Sequence, residues 1–504
     1  MPLATIFSRA QMGVSAPLVT VETHLSRGLP GFTIVGLPET AVKESKDRVR
    51  SALLNSHFDF PQQKITVNLA PADLPKEGGR YDLAIALGIL AASGQIPKEA
   101  LKDYECIGEL ALSGDLRSVR GSLPAAIRCA RANRRLILPT DNAAEAALCE
   151  SDRILAAKNL LVVSAHLHGR ETLPAPYAQS LHDPIYDIDL HDVRGQAQAR
   201  RALEIAASGG HNLLFYGPPG SGKSMLASRL PTILPPMSKA EALETAAVLS
   251  VSNHLSLGQW QCRPYRAPHH TSSAVALVGG GSNPRPGEIS LAHNGVLFLD
   301  ELPEFSRSVL EVLREPLENS HICISRANAQ VEFPANFQLV AAMNPCPCGY
   351  FKDGSDRCRC TPQQVERYSS KISGPLLDRI DLHIQVNQLP ISELQKQGSE
   401  EGSRIVRQRV IASHERQIQR QAKRNAQLKG AEMNRYCKLG DNQKTFLAEA
   451  LTRLDMSARA YDRTLRVART IADMAQSQHI EIGHLSEALA YRNLDRSHST
   501  PKTA

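Results

Sequence analysis

The sequence predicts an α/β protein with a central parallel sheet, a mixed α+β region before it and a helical region after it. Three observations predict this fold. The first is an apolar strand, a glycine-rich loop and a helix in succession over residues 212–230. The second is a pair of apolar strands, at 296–299 and 337–343, that both end at polar residues. The third is the mixture of short strands and helices before residue 165.

Length and charge set the broad class of the protein. A chain of 504 residues, 42% of them hydrophobic, can bury sizeable cores, and its length suggests about three domains. The net charge of +7 permits a nucleic-acid partner without demonstrating one. The longest apolar run, Leu83–Ala92, is too short to span a bilayer, and the first residues lack a signal-peptide pattern. We therefore expect a cytoplasmic protein with no membrane partner, whose cysteines are thiols or metal ligands.

Residues 1–165 are predicted to form one α+β domain. β-Branched residues recur in the strand-like segments, and the run that begins at Asp82 is apolar enough for a buried helix. The expected strands are 18–23, 32–35 and 64–69, the expected helices are 38–55 and 82–92, and a hairpin is expected at 108–115.

The segment Pro75–Asp82 and the helix after it resemble the Lon protease fold, which is also called ribosomal S5 domain 2-like. Lon proteases carry a nucleophilic serine at the position of Arg80, paired with a lysine. Here no lysine occurs between Asp103 and Ala157, where the partner would lie. A nucleophilic mechanism needs both a hydroxyl and a base, so the resemblance implies a Lon-like scaffold without peptidase activity.

Two boundaries divide the rest of the chain. Residues 166–188 carry prolines and polar residues with no apolar period, and they are interpreted as a linker. Residues 189–392 hold the glycine-rich loop and the strands that follow it. Residues 393–504 are expected to form a helical C-terminal domain.

The glycine-rich loop fits the G-x-x-x-x-G-K-[S/T] pattern of a phosphate-binding loop (P-loop). A strand before it and a helix after it aim backbone N–H groups at phosphate oxygens. We expect Lys223 to reach the β- and γ-phosphates of ATP and Ser224 to ligate Mg²⁺. The eight residues of the pattern are Gly217, Pro218, Pro219, Gly220, Ser221, Gly222, Lys223 and Ser224.

Polar residues at the ends of the next two strands complete the predicted hydrolysis site. Asp300 is the expected magnesium-side ligand and Glu301 the expected general base, because strands of P-loop ATPases end in such a carboxylate pair. Asn344, at the end of the second strand, resembles the sensor-1 residue of AAA+ ATPases, which implies that its amide helps to orient the attacking water. The alternative is an ordinary turn asparagine before Pro345.

Two arginines are assigned by resemblance. The segment Gly374–Asp381 resembles that of Mg-chelatase ATPase subunits and MCM helicases, which implies that Arg379 is a finger reaching a neighbouring subunit's nucleotide. The alternative is a surface arginine paired with Asp378 or Asp381. The helical run that begins at Ser457 resembles the sensor-2 helix of these ATPases, which implies that Arg459 contacts the γ-phosphate.

Nearly end to end, the chain resembles the Mg-chelatase-like ATPases of the YifB/ComM family. The specific strings are Arg266–Thr271 and Pro284–His293, together with the P-loop, the acidic strand end and the cysteines. The resemblance implies a hexameric AAA+ motor of the helix-2-insert clade that acts as a DNA helicase in branch migration during natural transformation. Protein remodelling and a chelatase-type subunit remain alternatives. An ATP-dependent protease is opposed by Arg80.

Three arginines are candidate DNA contacts. Arg263 and Arg266 lie in residues 252–290, a long insertion that, as the family resemblance implies, projects toward a ring pore. Arg326 lies near the tip of a predicted hairpin at 322–333. Such side chains would grip phosphates without reading sequence. The hairpin has a purely structural alternative. The basic region 404–438 either faces DNA or packs an apolar stripe on the ATPase, and the second is slightly favoured.

Four cysteines lie close together directly after Asn344. Cys346, Cys348, Cys358 and Cys360 form two C-x-C pairs, and four thiolates suit a tetrahedral zinc site. The surrounding loop has little apolar material, so a metal would give it order. Reduced thiols or a redox pair are the alternatives to structural Zn²⁺.

Overall fold

The computed structural model describes residues 3–176, 186–281, 284–326, 329–354, 356–390, 392, 400–454 and 457–492. For residues 40, 41, 326, 329 and 458 it describes the backbone alone.

The N-terminal part is a seven-stranded mixed sheet covered by helices. Its strand order is β3-β4-β2-β1-β5-β8-β9, in which β4, β2 and β1 are antiparallel and the other pairs are parallel. The strands of this sheet are β1 (Leu3–Arg9), β2 (Leu18–Ser26), β3 (Gly31–Val35), β4 (Lys64–Ala70), β5 (Tyr104–Cys106), β8 (Arg135–Pro139) and β9 (Ile154–Ala157). A separate antiparallel pair is formed by β6 (Glu109–Leu110) and β7 (Leu116–Arg117). The helices are α1 (Thr40–Lys43), α2 (Ser45–Asn55), α3 (Asp82–Ala92), α4 (Ser122–Arg131), α5 (Ala143–Ala146) and α6 (Leu160–Leu167).

Helix α3 is the centre of this N-terminal core. All of its residues are buried, as its almost continuous apolar sequence predicts. Gly88 lets the helix lie directly on the sheet, because a Cβ there would come within 2.4 Å of the Thr23 hydroxyl. The predicted strands 18–23, 32–35 and 64–69 correspond to β2, β3 and β4.

The second part is built on a five-stranded parallel sheet with the order β11-β14-β17-β10-β18. The strands of this part are β10 (Leu213–Tyr216), β11 (Tyr265–Arg266), β12 (Gly279–Gly280), β13 (Arg285–Pro286), β14 (Val296–Leu299), β15 (His321–Arg326), β16 (Ala329–Pro334), β17 (Gln338–Met343) and β18 (Leu382–Gln385). The helices are α7 (Ala197–Gly209), α8 (Lys223–Ile233), α9 (Lys239–Ser252), α10 (Ala274–Val278), α11 (Glu288–Leu291), α12 (Arg307–Glu311), α13 (Arg314–Asn319), α14 (Pro362–Ser369) and α15 (Gly374–Leu377).

The segment 252–290 is not a continuous insertion. Tyr265 and Arg266 form β11, which pairs with β14 at the edge of the main sheet. A strand of two residues carries no recognisable alternation, so the sequence pattern could not separate it from the loops around it. Strands β15 and β16 pair as the predicted antiparallel hairpin.

The C-terminal helices pack on the parallel sheet's own helices and share one hydrophobic core with them. A buried polar cluster joins the two parts, because the ring of His211 hydrogen-bonds to Thr470 at 2.7 Å and to Asp381 at 3.2 Å. Among the described residues, no helix is both long and apolar enough to cross a membrane. The C-terminal helices are α16 (Ser403–Gln421), α17 (Ala431–Tyr436), α18 (Asp441–Arg453), α19 (Ala458–Met474) and α20 (Ile482–Ala490).

Candidate functional site

Three adjacent parallel strands bring the P-loop, Asp300 and Asn344 to one edge of the sheet. Strand β17 lies between β10 and β14, with Tyr216 opposite Met343 and Leu299 opposite Ala341. The residues that follow these strands therefore emerge together at the carboxyl edge, where ligands bind in open α/β sheets.

The P-loop has the backbone that a phosphate cradle needs. Gly220 and Gly222 adopt φ angles of 73° and 92°, which favour glycine. Gly217 passes so close to the neighbouring loop that a Cβ would lie 2.1 Å from the Val386 carbonyl oxygen. Helix α8 begins at Lys223, so its free N–H groups point into the loop.

Lys223 is held inside this loop by three oxygens. Its Nζ donates to the carbonyls of Gly217 and Pro218 at 2.8 and 2.9 Å, and to the Asn344 side chain at 3.2 Å. Burial lowers the pKa of Lys223. The contact between Lys223 and Asn344 joins two residues that are 121 positions apart in sequence. Both were predicted to belong to the same hydrolysis site.

Ser224 and Asp300 form a ligand pair suited to Mg²⁺. The Ser224 hydroxyl donates to Asp300 Oδ2 at 2.6 Å, and Asp300 Oδ1 accepts from the Glu301 backbone N–H at 2.9 Å. A hydroxyl and a carboxylate are hard oxygen ligands of the kind that Mg²⁺ prefers. These residues therefore fit a magnesium ion bound together with nucleotide phosphates.

Glu301 stands in a conformation that is rare for its residue type. Its φ of 53° lies in the left-handed region, a form of local strain that is concentrated at functional sites. Its half-exposed carboxylate lies 3.1 Å from Nδ1 of His270. The His270 ring contacts the His269 ring in a tilted arrangement, with 4.1 Å between ring centroids and 33° between the ring planes.

His270 is the residue at this edge to which sequence reasoning gave no role. In the sequence, His270 appears only within the segment Arg266–Thr271 that carries the family resemblance. No local signal marks His270, because β11, which precedes it and pairs with β14, is only two residues long and cannot be recognised from the sequence.

A cavity of about 450 Å³ adjoins the P-loop at Gly220, Ser221 and Gly222. Gln388 spans its wall by donating to the Pro219 carbonyl at 2.9 Å. The volume of the cavity and the apolar side chains in its wall suit part of a nucleotide. Its lining includes Val193, Gly220, Gly222, Met225, Gln388 and Leu389.

Arg379 and Arg459 lie near the amino ends of the parallel strands, whereas the P-loop lies at the carboxyl ends. Leu382 pairs with Leu213 at the amino end of β18, and Arg379 precedes it by three positions, so the strand places about 13 Å between Arg379 and its own P-loop. Arg379 donates to the Pro375 carbonyl and is paired with Glu318. Arg459 lies 3.5 Å from Asp378, beside Arg379, and not at the P-loop of its own chain.

Two of the three candidate DNA contacts are engaged inside the protein. Arg263 is 5% exposed and donates to the carbonyls of Pro235, Pro236 and Asn294. Arg266 forms a bidentate pair with Glu288, with both bonds at 2.7 Å. These placements argue against phosphate contacts by either side chain. The side chain of Arg326, like the hairpin tip, lies outside the described residues.

Helix α16 in the basic region packs on the ATPase core, the alternative that the sequence slightly favoured. Val406 and Val410 are buried in the shared core. Arg409 pairs with Glu204 and Glu401, and Arg420 pairs with Asp473, so much of the positive charge is compensated.

The four cysteines predicted to form a cluster converge. All four sulfurs lie within 4.8 Å of one another. Cys346 Sγ lies 3.3 Å from Cys348 Sγ and 3.9 Å from Cys358 Sγ, and the Cys348–Cys358 distance is 3.7 Å. A tetrahedral zinc ion with 2.3 Å Zn–S bonds separates its sulfurs by about 3.8 Å. The donor set therefore fits zinc.

Arg80, at the Lon-like turn, is buried, and its side chain offers no hydroxyl that could act as a nucleophile. One of its nitrogens donates to Gln11 at 3.3 Å, and among the described residues the other two side-chain nitrogens have no hydrogen-bond partner. Asp82 accepts from Ser45 and Arg48 and so secures the start of α3. The absence of peptidase activity stays a prediction.

Comparison with known proteins places this geometry in a family. Magnesium chelatase subunit ChlI matches residues 189–394, its C-terminal domain matches residues 400–492, and a further ChlI domain matches residues 21–142. The chain is 54% identical to competence protein ComM of Haemophilus influenzae over 503 residues, 98% of each chain. The chain belongs to the YifB/ComM family of Mg-chelatase-like proteins. Its AAA+ class implies ATP and Mg²⁺ as ligands and suggests ATPase activity.

Two more relatives extend this comparison. An uncharacterized YifB protein of Salmonella typhimurium is 53% identical over 498 residues, again 98% of both chains. Lon protease 2 of Bacillus subtilis is 23% identical over 193 residues, 34% of this chain and 35% of that protein. The second likeness agrees with a Lon-related component in the chain.

Proposed function

We propose that this protein is an ATP-hydrolysing ring motor that acts on DNA. The observation that carries the hydrolysis step is the meeting of Lys223 with Asn344 and of Ser224 with Asp300 at one sheet edge. ATP with Mg²⁺ supplies the phosphoryl group to be transferred to water. Lys223 and the loop N–H groups bind the phosphates, while Ser224 and Asp300 hold the metal.

Glu301 is the proposed general base, with its carboxylate oriented by His270. The 3.1 Å contact restrains a side chain that solvent would otherwise leave free. Asn344 is proposed to help orient the attacking water, because its amide is already fixed beside Lys223.

We propose that Arg379 completes the site of a neighbouring subunit. Its position at the far edge of the sheet keeps it from its own nucleotide, and an arginine that reaches a neighbour's phosphates contributes about 10³–10⁵ in rate. Arg459 lies beside it and is proposed to act on the same neighbouring nucleotide. Activity then requires an oligomer, and a hexameric ring is the form proposed from family resemblance.

The domain scheme proposed for this motor is 1–165 for the Lon-like domain, 166–188 for a linker, 189–392 for the ATPase domain and 393–504 for the helical domain. The first boundary needs a correction, because α6 continues to Leu167 and Leu173 is buried in the N-terminal core. The linker residues 177–185 lie outside the described residues, and so do residues 391 and 393–399 around the boundary between the ATPase and helical domains.

DNA is the proposed load because a relative with 54% identity over 98% of both chains is named a competence protein. The test is ATPase and unwinding on forked and four-way-junction DNA, with Glu301→Gln as the inactive variant. We expect DNA to stimulate hydrolysis by the unmodified protein, and the variant to bind ATP without unwinding. Stimulation by protein substrates but not by DNA would identify a protein-remodelling ATPase instead.

We also propose structural zinc at Cys346, Cys348, Cys358 and Cys360. The sulfur distances support a tetrahedral tetrathiolate site, and none is near the 2.05 Å of a disulfide. Elemental analysis of the purified protein tests this. One zinc per chain is expected, and its absence would favour a redox or reduced-thiol role.

A further inference from the structure

The cysteine loop, residues 345–360, leads directly from the hydrolysis site. It starts after Asn344, whose side chain contacts Lys223, and ends at Thr361, which caps α14. Its two C-x-C pairs lie at its two ends, so a metal between them would close the loop on itself.

The first contact between this loop and the P-loop is at Gly349, next to Cys348. Gly349 has a φ of 88°, and a Cβ there would lie 2.6 Å from Cδ of Pro219. The glycine backbone therefore packs on the third residue of the P-loop with no room for a side chain.

The second contact starts at Arg357, next to Cys358. Arg357 donates to the Gln388 side-chain oxygen at 3.1 Å, and Gln388 donates to the Pro219 carbonyl at 2.9 Å. The Arg357 guanidinium is fixed by Asp353 at 2.8 Å and by the face of the Tyr350 ring at 4.3 Å. Both contacts thus reach Pro219, and each begins beside a cysteine of a different pair.

This loop has little else to hold its shape. Its described residues form no helix or strand between β17 and α14, and Cys346 is its fully buried apolar residue. A segment with so few apolar contacts cannot offset its conformational entropy by burial, whereas a metal ion can order it.

We propose that zinc at the four cysteines braces the P-loop through Gly349 and Arg357, so that loss of the metal weakens binding of Mg²⁺–ATP. The inference rests on the proposed zinc site. The metal supplies order to the loop and takes no part in hydrolysis. Pro219 is the residue through which the loop acts, because both contacts end there.

The experiment measures zinc content and the dissociation constant of a fluorescent ATP analogue with Mg²⁺, on the full chain. Cys348→Ser and Cys360→Ser should lose zinc and raise that constant about tenfold or more. Gly349→Ala and Arg357→Ala break one contact each without touching a ligand. They should keep zinc and raise the constant about threefold to tenfold. Circular dichroism checks that each variant is folded.

Two matched controls separate the brace from general damage. Cys262→Ser removes a thiol outside the cluster, and Arg359→Ala removes an exposed arginine between Cys358 and Cys360. Both should leave zinc content and nucleotide affinity within twofold. If the cysteine variants lose zinc but bind nucleotide normally, the brace is wrong and the zinc site stands. If the unmodified protein holds no zinc, the metal proposal itself fails. If the cysteine variants do not fold, unchanged affinity in Gly349→Ala and Arg357→Ala refutes the brace.

Discussion

Two glycine-bearing turns in this molecule look alike in sequence and differ in structure. Residues 78–82 and 220–224 each place two glycines and a basic residue at the start of a helix, with Arg80 two positions before α3 and Lys223 the first residue of α8. In the second turn, Lys223 and Ser224 meet Asn344 and Asp300 from neighbouring strands. In the first turn, Asp82 accepts hydrogen bonds from Ser45 and Arg48 of the same domain.

The difference lies in what surrounds each turn. The P-loop sits at the carboxyl edge of a parallel sheet, where three strands end together and their polar residues converge on open space. The turn before α3 lies against a mixed sheet, where Asp82 is buried and satisfied by Ser45, Arg48 and the Leu110 N–H. Polar residues at a helix start therefore serve chemistry in one turn and anchoring in the other.

The largest effect should come from Lys223→Ala. Removing a preorganised cation from developing phosphate charge costs a factor of about 100 or more in rate. Hydrolysis should fall to near background in a steady-state ATPase assay, while the unfolding midpoint changes little. Lys239→Ala is the control, since Lys239 is an exposed lysine paired with Glu150. Retention of hydrolysis by Lys223→Ala would remove the P-loop from the mechanism.

Asp82→Asn should lower the stability of the N-terminal domain and leave ATP hydrolysis nearly unchanged. The carboxylate is fully buried, and its loss leaves the Arg48 cation without its main partner. We expect a loss of about 2–3 kcal/mol in the unfolding free energy of the N-terminal domain, measured by urea denaturation. ATP hydrolysis at 25 °C should stay within twofold. Asp47→Asn, at an exposed position on α2, is the matched control. A large loss of hydrolysis with unchanged stability would make this turn a functional site.

The same contrast explains what the sequence could predict. The apolar run gave α3 its predicted bounds, and the strand ends at Asp300 and Asn344 placed the hydrolysis site, because these signals are local. His270 and Gln388 were missed because their roles depend on contacts across the fold. Arg263 was predicted to contact DNA because residues 252–290 were expected to be an insertion that projects toward a ring pore. The side chain is instead buried, and three backbone carbonyls accept hydrogen bonds from its guanidinium. Long-range partners of this kind carry no local pattern.

The smallest effect is a pH response confined to the first turn. Burial, together with neighbouring Glu39, raises the pKa of Glu77 to about 7, against 4.5 for the ordinary side chain, while Arg285 and Arg80 oppose this rise. The folded state keeps the proton that the unfolded chain releases. The contribution of Glu77 to stability is therefore greatest at low pH and declines as the pH rises from about 4.5 through 7. We expect a decline of about 1 kcal/mol in the N-terminal unfolding free energy, because partial solvation reduces the full linkage.

Glu77→Gln keeps the neutral side chain and should flatten this decline between pH 5.5 and 8 in urea denaturation. Glu99→Gln, an exposed position paired with Lys102, should leave it unchanged. The affinity for the ATP analogue should not follow the Glu77 titration, because the P-loop takes its contacts from Asn344 and Asp300 on another sheet. If nucleotide affinity instead declines in parallel and Glu77→Gln abolishes that decline, the two turns are energetically coupled. The first turn would then regulate the ATPase site as well as anchor α3.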